Sequence, residues 1–220
     1  MQEHISMGQV DKKTNAGESA TGRSKDEQRS YDPTRWWSLY KQDIARYKKH
    51  RNHTPVAILF LTEQGLWALL PYRMASALYR PHVSFVMKIP LLALAAVQKV
   101  IEIVVGITIP YQTSIGAGLY IGHFGNIVLS PEAVLGHTCN LSQGVTIGVS
   151  GRGERRGVPK IGNRVYIAAN AVVAGKIVIG DDVVIAANSL VIADVPAHTT
   201  VMGVPAQVIN AHSSEYYLDP

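Results

Sequence analysis

From Ile115 to Val191 the chain repeats with a period of six, which neither an α-helix nor a long alternating strand can satisfy. Frames opening at residues 115, 121, 127, 135, 141, 147, 161, 167, 173, 179, 185 and 191 all begin with Ile, Leu or Val, and nine of the twelve continue with Gly or Ala. A short strand followed by a corner fits this period. The aliphatic residue points inward from a flat face, the small residue lets backbones approach, and three faces close one triangular coil of about eighteen residues. Stacked coils pair as parallel strands about 4.8 Å apart. One coil cannot bury its own apolar corner, so the aliphatic column must run through several, and twelve frames make four. The expected fold is mainly β, a parallel β-helix spanning residues 107–204.

Two interruptions mark this column. The frame slips by two residues between Ile127 and Leu135, and fourteen residues separate Ile147 from Ile161. The second gap holds Gly151-Arg152-Gly153-Glu154-Arg155-Arg156-Gly157, too polar and glycine-rich to continue the column, so it is expected to project as a loop.

Ahead of the repeat the pattern turns helical. Trp36, Trp37, Tyr40, Ile44 and Tyr47 recur at three- and four-residue steps to about His50. A second run, Pro55 to Leu70, is expected to break or kink at Pro71 before Tyr72 to Tyr79, and a third covers Phe85 to Val105. The layout predicted is a disordered polar tail over 1–30, a small α-helical domain over 31–106, the β-helix over 107–204 and a C-terminal tail over 205–220. The third run is apolar, but Lys88, Gln98, Lys99 and Glu102 hold its clean stretches well below the roughly 20 residues of a spanning helix. Helix packing is the favoured reading of it, and peripheral membrane contact the disfavoured one.

With 47% hydrophobic residues in 220, the chain can bury a core. The formal charge of +5 is modest, and the basic run Lys41, Arg46, Lys48, Lys49 and Arg51 reads as a solvated helix face rather than a nucleic-acid module. The lone cysteine, Cys139, falls at an inward place of its frame, so it reads as a packed thiol in a reducing compartment, and a cytoplasmic location is expected.

Of eight histidines only His123 and His137 lie in the repeat, and the frame count puts them on different faces of the prism. That separation argues against a metal site within one chain. Gln143, by contrast, falls one coil beyond His123 on the same face. Gly122 and Gly125 flank His123 and leave its imidazole accessible, as a general base working near pH 7 requires. From spacing alone, a solvated turn histidine is an equal reading.

Four stretches then carry a family resemblance. They are Ile115-Gly116-Ala117-Gly118-Leu119-Tyr120-Ile121-Gly122-His123, Gln143-Gly144-Val145-Thr146-Ile147-Gly148, Pro159-Lys160-Ile161-Gly162 and the closing Val195 to Ala206, with Tyr72-Arg73 in the helical part. Together they resemble the serine acetyltransferase branch of the hexapeptide-repeat acyltransferases. The resemblance implies a left-handed β-helix and a homotrimer, or a dimer of trimers. It also implies acetyl-CoA as acyl donor, with His123 taking the acceptor's proton. By the same resemblance Gly148, Ala169 and Ala187 match backbone contacts to the cofactor in a cleft between neighbouring prisms, with Lys160 placed to meet its phosphates.

The chain also departs from that branch. Where its serine-specific members orient the histidine with an aspartate stands Thr108, and where they grip serine with an Arg-His pair stand Gly157 and Val158. These departures weaken L-serine as acceptor. With Ile109-Pro110, Ile121-Gly122-His123-Phe124 and the Val158-Pro159 loop, the chain resembles instead the relatives that acetylate sugar hydroxyls in surface-polysaccharide pathways, which implies acetyl transfer to a sugar hydroxyl of a surface polysaccharide or its precursor, with Thr108, Gln143 and Val158 near the acceptor. Serine O-acetylation is the alternative within the same chemistry, and a non-catalytic trimeric scaffold the alternative outside it.

Overall fold

The computed structural model describes residues 35–79 and 85–218. The tail expected over 1–30 lies outside the described residues.

Four helices precede the strands: α1 (Arg35–His50), α2 (Val56–Thr62), α3 (Gln64–Leu78) and α4 (Phe85–Val105). The second helical run breaks at Glu63 rather than at Pro71. Glu63 is extended, closes α2 through its N–H to the Leu59 carbonyl, and pairs its carboxylate with Arg51 at 2.7 Å, whereas Pro71 sits buried inside α3. The break lets Gly65 come in so close that a Cβ there would fall 2.1 Å from the Tyr47 hydroxyl and 2.9 Å from Ile121 Cβ. α4 packs on α3 but keeps Ile89, Leu92, Val97, Val100, Ile103 and Val104 exposed. No described helix is long and apolar enough to cross a membrane.

The strands follow as β1 (Ile107–Thr108), β2 (Ser114–Ile115), β3 (Tyr120–Ile121), β4 (Ile127–Leu129), β5 (Val134–Leu135), β6 (Asn140–Leu141), β7 (Thr146–Gly148), β8 (Lys160–Ile161), β9 (Tyr166–Ile167), β10 (Val172–Ala174), β11 (Val178–Ile179), β12 (Val184–Ile185), β13 (Leu190–Val191), β14 (Thr200–Gly203) and β15 (Ala206–Asn210). They form three sheets of every third strand, ordered β1-β4-β7-β10-β13, β2-β5-β8-β11 and β3-β6-β9-β12-β14-β15, parallel throughout except the final β14–β15 pair. This is the three-faced coil that the six-residue period demands. Inside it Ile121, Leu141, Ile167, Ile185 and Val201 stack along one wall, with the equivalent residues of the other two walls beside them, all buried. Cys139 is buried in the same stack.

The small residue after each aliphatic proves essential at one corner. A Cβ on Gly116, Gly136, Gly162 or Gly180 would lie within 2.6 Å of an atom of the coil beneath. Gly122 and Gly148 have no such restriction, their nearest neighbours being side-chain atoms at 3.3 and 3.8 Å. The same corner, which carries His137, is also laced by side chains. His137 Nδ1 accepts the Ala117 N–H, Asn163 Oδ1 accepts the His137 N–H, and Asp181 Oδ1 accepts the Asn163 N–H, each reaching the coil above. His137 is thus a rung of a structural ladder.

A β-helix leaves unpaired backbone groups at its ends, and here the helices cover the first coil. Tyr47 Oη donates to the Ile121 carbonyl at 3.2 Å and accepts its N–H at 3.0 Å. Asp43 Oδ1 accepts the Gly118 and Leu119 N–H groups, both at 2.9 Å. Arg73 donates to the Ile115 and Gly116 carbonyls at 2.7 Å and pairs with Asp43 at 2.8 and 3.0 Å, the two side chains being 1% and 0% exposed. Arg46 departs from the solvated-face reading of its basic run, since it reaches the prism at Asn140 Oδ1 and the Leu218 carbonyl. That carbonyl belongs to α5 (Glu215–Leu218), which returns along the third sheet, stacks Tyr217 on Tyr166 and buries Leu218.

Candidate active site

The strand register relocates the first interruption of the repeat and explains it. Ile121 pairs with Leu141, but Val128 pairs with Thr146, so between the same two sheets the upper coil carries two more residues than the lower. Corner hydrogen bonds show where they sit. Gly122 N–H reaches the Leu141 carbonyl as Ser142 N–H reaches that of Ile167, and Gly144 N–H reaches the Gly125 carbonyl as Asn170 N–H reaches that of Gln143. Gly122 therefore stands over Ser142, and Gly125 over Gln143. His123 and Phe124 are the inserted pair, pushed out of the corner as a bulge. The slip expected between Ile127 and Leu135 falls here instead; Ile127 and Leu129 both point inward, which hides the shift from a frame count.

His123 is exposed and Phe124 is 52% exposed. Among the described residues no group bonds the His123 ring. Directly below the bulge the column continues through Gln143, Ala169 and Ala187, because Asn188 N–H meets the Ala169 carbonyl as Asn170 N–H meets that of Gln143. One edge of the prism thus gathers four of the residues singled out from sequence, with an exposed imidazole at its head and two alanines beneath. Thr108, paired with Val128 on the outer face of the first sheet, lies beside this edge.

Gly148, Val158 and Lys160 do not join them. Gly148 ends β7 on the far side of the first sheet, where the loop begins with a Ser150–Gly157 bridge and a 3-10 turn, Gly153–Arg155; Lys160 opens β8 and is exposed. They occupy the next edge of the same prism. Arg152, Arg155 and Arg156 are exposed on that loop.

Sequence reasoning did not find a groove of about 1040 Å³ between the third sheet and the returning C-terminal segment. Ala186, Ala187 and Met202 line its prism side, and His212 and Tyr216 belong to the C-terminal segment. It therefore opens where the His123 edge ends. The signal available was the run Tyr216-Tyr217-Leu218, aromatic and apolar in an otherwise polar tail. Asp43, which with Tyr47 holds the strand leading into His123, was missed because a buried polar residue on a helix looks like a solvated one; Tyr47 was placed on the packed stripe of the helix, but its bonds to Ile121 were not foreseen. Among the described residues no three of His, Cys, Asp and Glu cluster closely enough to hold a metal.

Comparison with known proteins agrees with this architecture. Residues 159–193 match the family described as bacterial transferase hexapeptide (six repeats). Serine acetyltransferase of Helicobacter pylori strain J99 is 35% identical over 159 residues, which cover 72% of this chain and 87% of that protein. Among solved structures, the Neisseria gonorrhoeae serine acetyltransferase in complex with serine aligns with a TM-score of 0.68 at 31% identity, over 80% of this chain and 70% of that one. A serine acetyltransferase in complex with CoA aligns at 0.67 and 27% identity, over 81% and 71%. Repeat, prism and relatives place the chain in the serine acetyltransferase-like branch of the hexapeptide-repeat acyltransferases, acetyl-CoA-dependent O-acetyltransferases built on a left-handed parallel β-helix.

Proposed function

We propose that His123 is the general base of acetyl transfer from acetyl-CoA to an acceptor hydroxyl, and that L-serine is the acceptor. The observation that carries the base assignment is the two-residue bulge, which lifts one imidazole clear of an otherwise regular edge. A ring nitrogen takes the hydroxyl proton as the oxygen attacks the thioester carbonyl; the C–S bond then breaks, and the imidazolium returns the proton to the departing CoA sulfur. Ala169 and Ala187 leave space for the pantetheine arm along the edge, toward the groove beside Ala187. The second edge, with Gly148, Val158, Lys160 and the loop arginines, meets such a ligand when a neighbouring copy presents it, as in a trimer.

The serine acetyltransferase relatives support L-serine over the surface glycan expected from sequence. Arg152, Arg155 and Arg156 stand just ahead of the missing Arg-His pair and offer a substrate carboxylate the cations that Gly157 and Val158 lack. A glycan remains the second reading, favoured by the neutral Thr108 and Val158. Thiol release from acetyl-CoA decides between them. L-serine is expected to accelerate it at least tenfold over background; acceleration by nucleotide sugars or oligosaccharides but not by serine would replace serine with a glycan.

A further inference from the structure

The branch's usual aspartate is Thr108 here, so an exposed base on a two-residue bulge stands without a carboxylate to hold its ring. Directly beneath Gly125, where the bulge rejoins the edge, the next coil about 4.8 Å away carries Gln143. Its Oε1 is buried and accepts no hydrogen bond from the described residues. Buried acceptors in native proteins are almost always paired, so an orphan at a functional edge points to a donor that arrives with the working state. The groups around it narrow the choice. Gly125, immediately above, has no side chain, and a Cβ there would meet nothing within 4 Å. On this edge the His123 ring carries a donor that no described residue engages. A neutral imidazole that accepts a proton at one nitrogen carries N–H at the other, and that N–H needs an acceptor to fix the tautomer.

We propose that Gln143 is the positioning residue of His123, its Oε1 accepting the imidazole N–H while the opposite nitrogen takes the acceptor's proton. The inference rests on His123 being the base. A carboxamide orients the ring as an aspartate would, but brings no charge to stabilise the imidazolium. Gln143 thereby compensates in geometry for Thr108.

Two variants of the full chain test this. Gln143→Leu removes the acceptor and is expected to lower kcat for CoA release, with acetyl-CoA and L-serine, by tenfold or more while leaving KM for acetyl-CoA within twofold. Gln143→Glu keeps an acceptor oxygen and adds a charge. It is expected to raise, by about one pH unit, the midpoint for diethylpyrocarbonate modification of His123, followed by peptide mass spectrometry. That second readout needs no acceptor. A midpoint within 0.2 unit of wild type in Gln143→Glu, or an unchanged kcat in Gln143→Leu, overturns the assignment. If the midpoint moves but His123→Ala releases CoA as fast as wild type, Gln143 holds the ring and it is the base assignment that fails.

Discussion

Removing the Asp43 carboxylate is predicted to be among the most damaging single changes to the fold, and its size follows from what surrounds it. Asp43 is fully buried and takes four hydrogen bonds, two from Arg73 and one each from the Gly118 and Leu119 N–H groups. Burial pushes its carboxyl above the ordinary aspartate value, and Arg73 with the two amides works against that push. In Asp43→Ala the Arg73 guanidinium stays buried with no counter-charge, and two backbone donors lose their acceptor. Breaking a buried pair from one side costs about 3–5 kcal/mol. For a chain of this length, that lowers the melting temperature by about 10 °C. Urea unfolding followed by circular dichroism measures the loss. Replacing both partners, Asp43→Leu with Arg73→Met, is expected to recover only the part of the loss that comes from the unpaired charge, because the Gly118 and Leu119 N–H groups and the Ile115 and Gly116 carbonyls still lack partners. A loss under about 1 kcal/mol in Asp43→Ala, or a double variant no better than the single, would refute the view that this pair clamps the helices onto the first coil.

Of the glycines that follow an inward aliphatic of the repeat, those of the Gly116–Gly180 corner are held by close backbone approach, and Gly122 and Gly148 are not. Gly162→Ala, whose Cβ would fall 2.3 Å from Asp181 Oδ1 and 2.8 Å from the Gly180 carbonyl carbon, should cost about 1–3 kcal/mol, whereas Gly122→Ala should change stability by less than about 0.5 kcal/mol. Parallel thermal melts compare the two. Burial pushes the Cys139 thiol from 9.0 up to about 11, so at pH 8 only about one molecule in a thousand carries the thiolate, and a disulfide reagent should label it only after unfolding. Because this folded-state value is raised, its contribution is complete below pH 9.0 and is lost as pH climbs through about 11, some 3 kcal/mol in all. Urea midpoints at pH 8 and pH 11 should differ more in wild type than in Cys139→Ala.

The prism was legible because inward aliphatics at a period of six fit a three-faced coil, and His123 was singled out because Gly122 and Gly125 flank it within a motif that carries the family resemblance. The position of the slip was not. Ile127 supplies an aliphatic where a regular frame would, so an insertion at His123–Phe124 looks like one several residues later. The helix boundary was misread for a related reason: Pro71 is the strongest local breaker, but the constraint that acts is tertiary, the approach of Gly65 to Ile121 past Tyr47. The bonds of Asp43 and Tyr47 carry no local signature at all, since each reaches backbone more than 70 residues away. The acceptor belongs to a different class of question. Thr108 and Val158 argue by absence, and their weight against serine is opposed by relatives that act on serine and by the arginines at 152, 155 and 156.

The most direct test of the account is CoA release from acetyl-CoA by wild type and by His123→Ala, both shown to be folded, across serine, nucleotide sugars and oligosaccharides. The account predicts acceptor-dependent release by wild type and a loss of at least a hundredfold in the variant. Equal rates in the two proteins would contradict it.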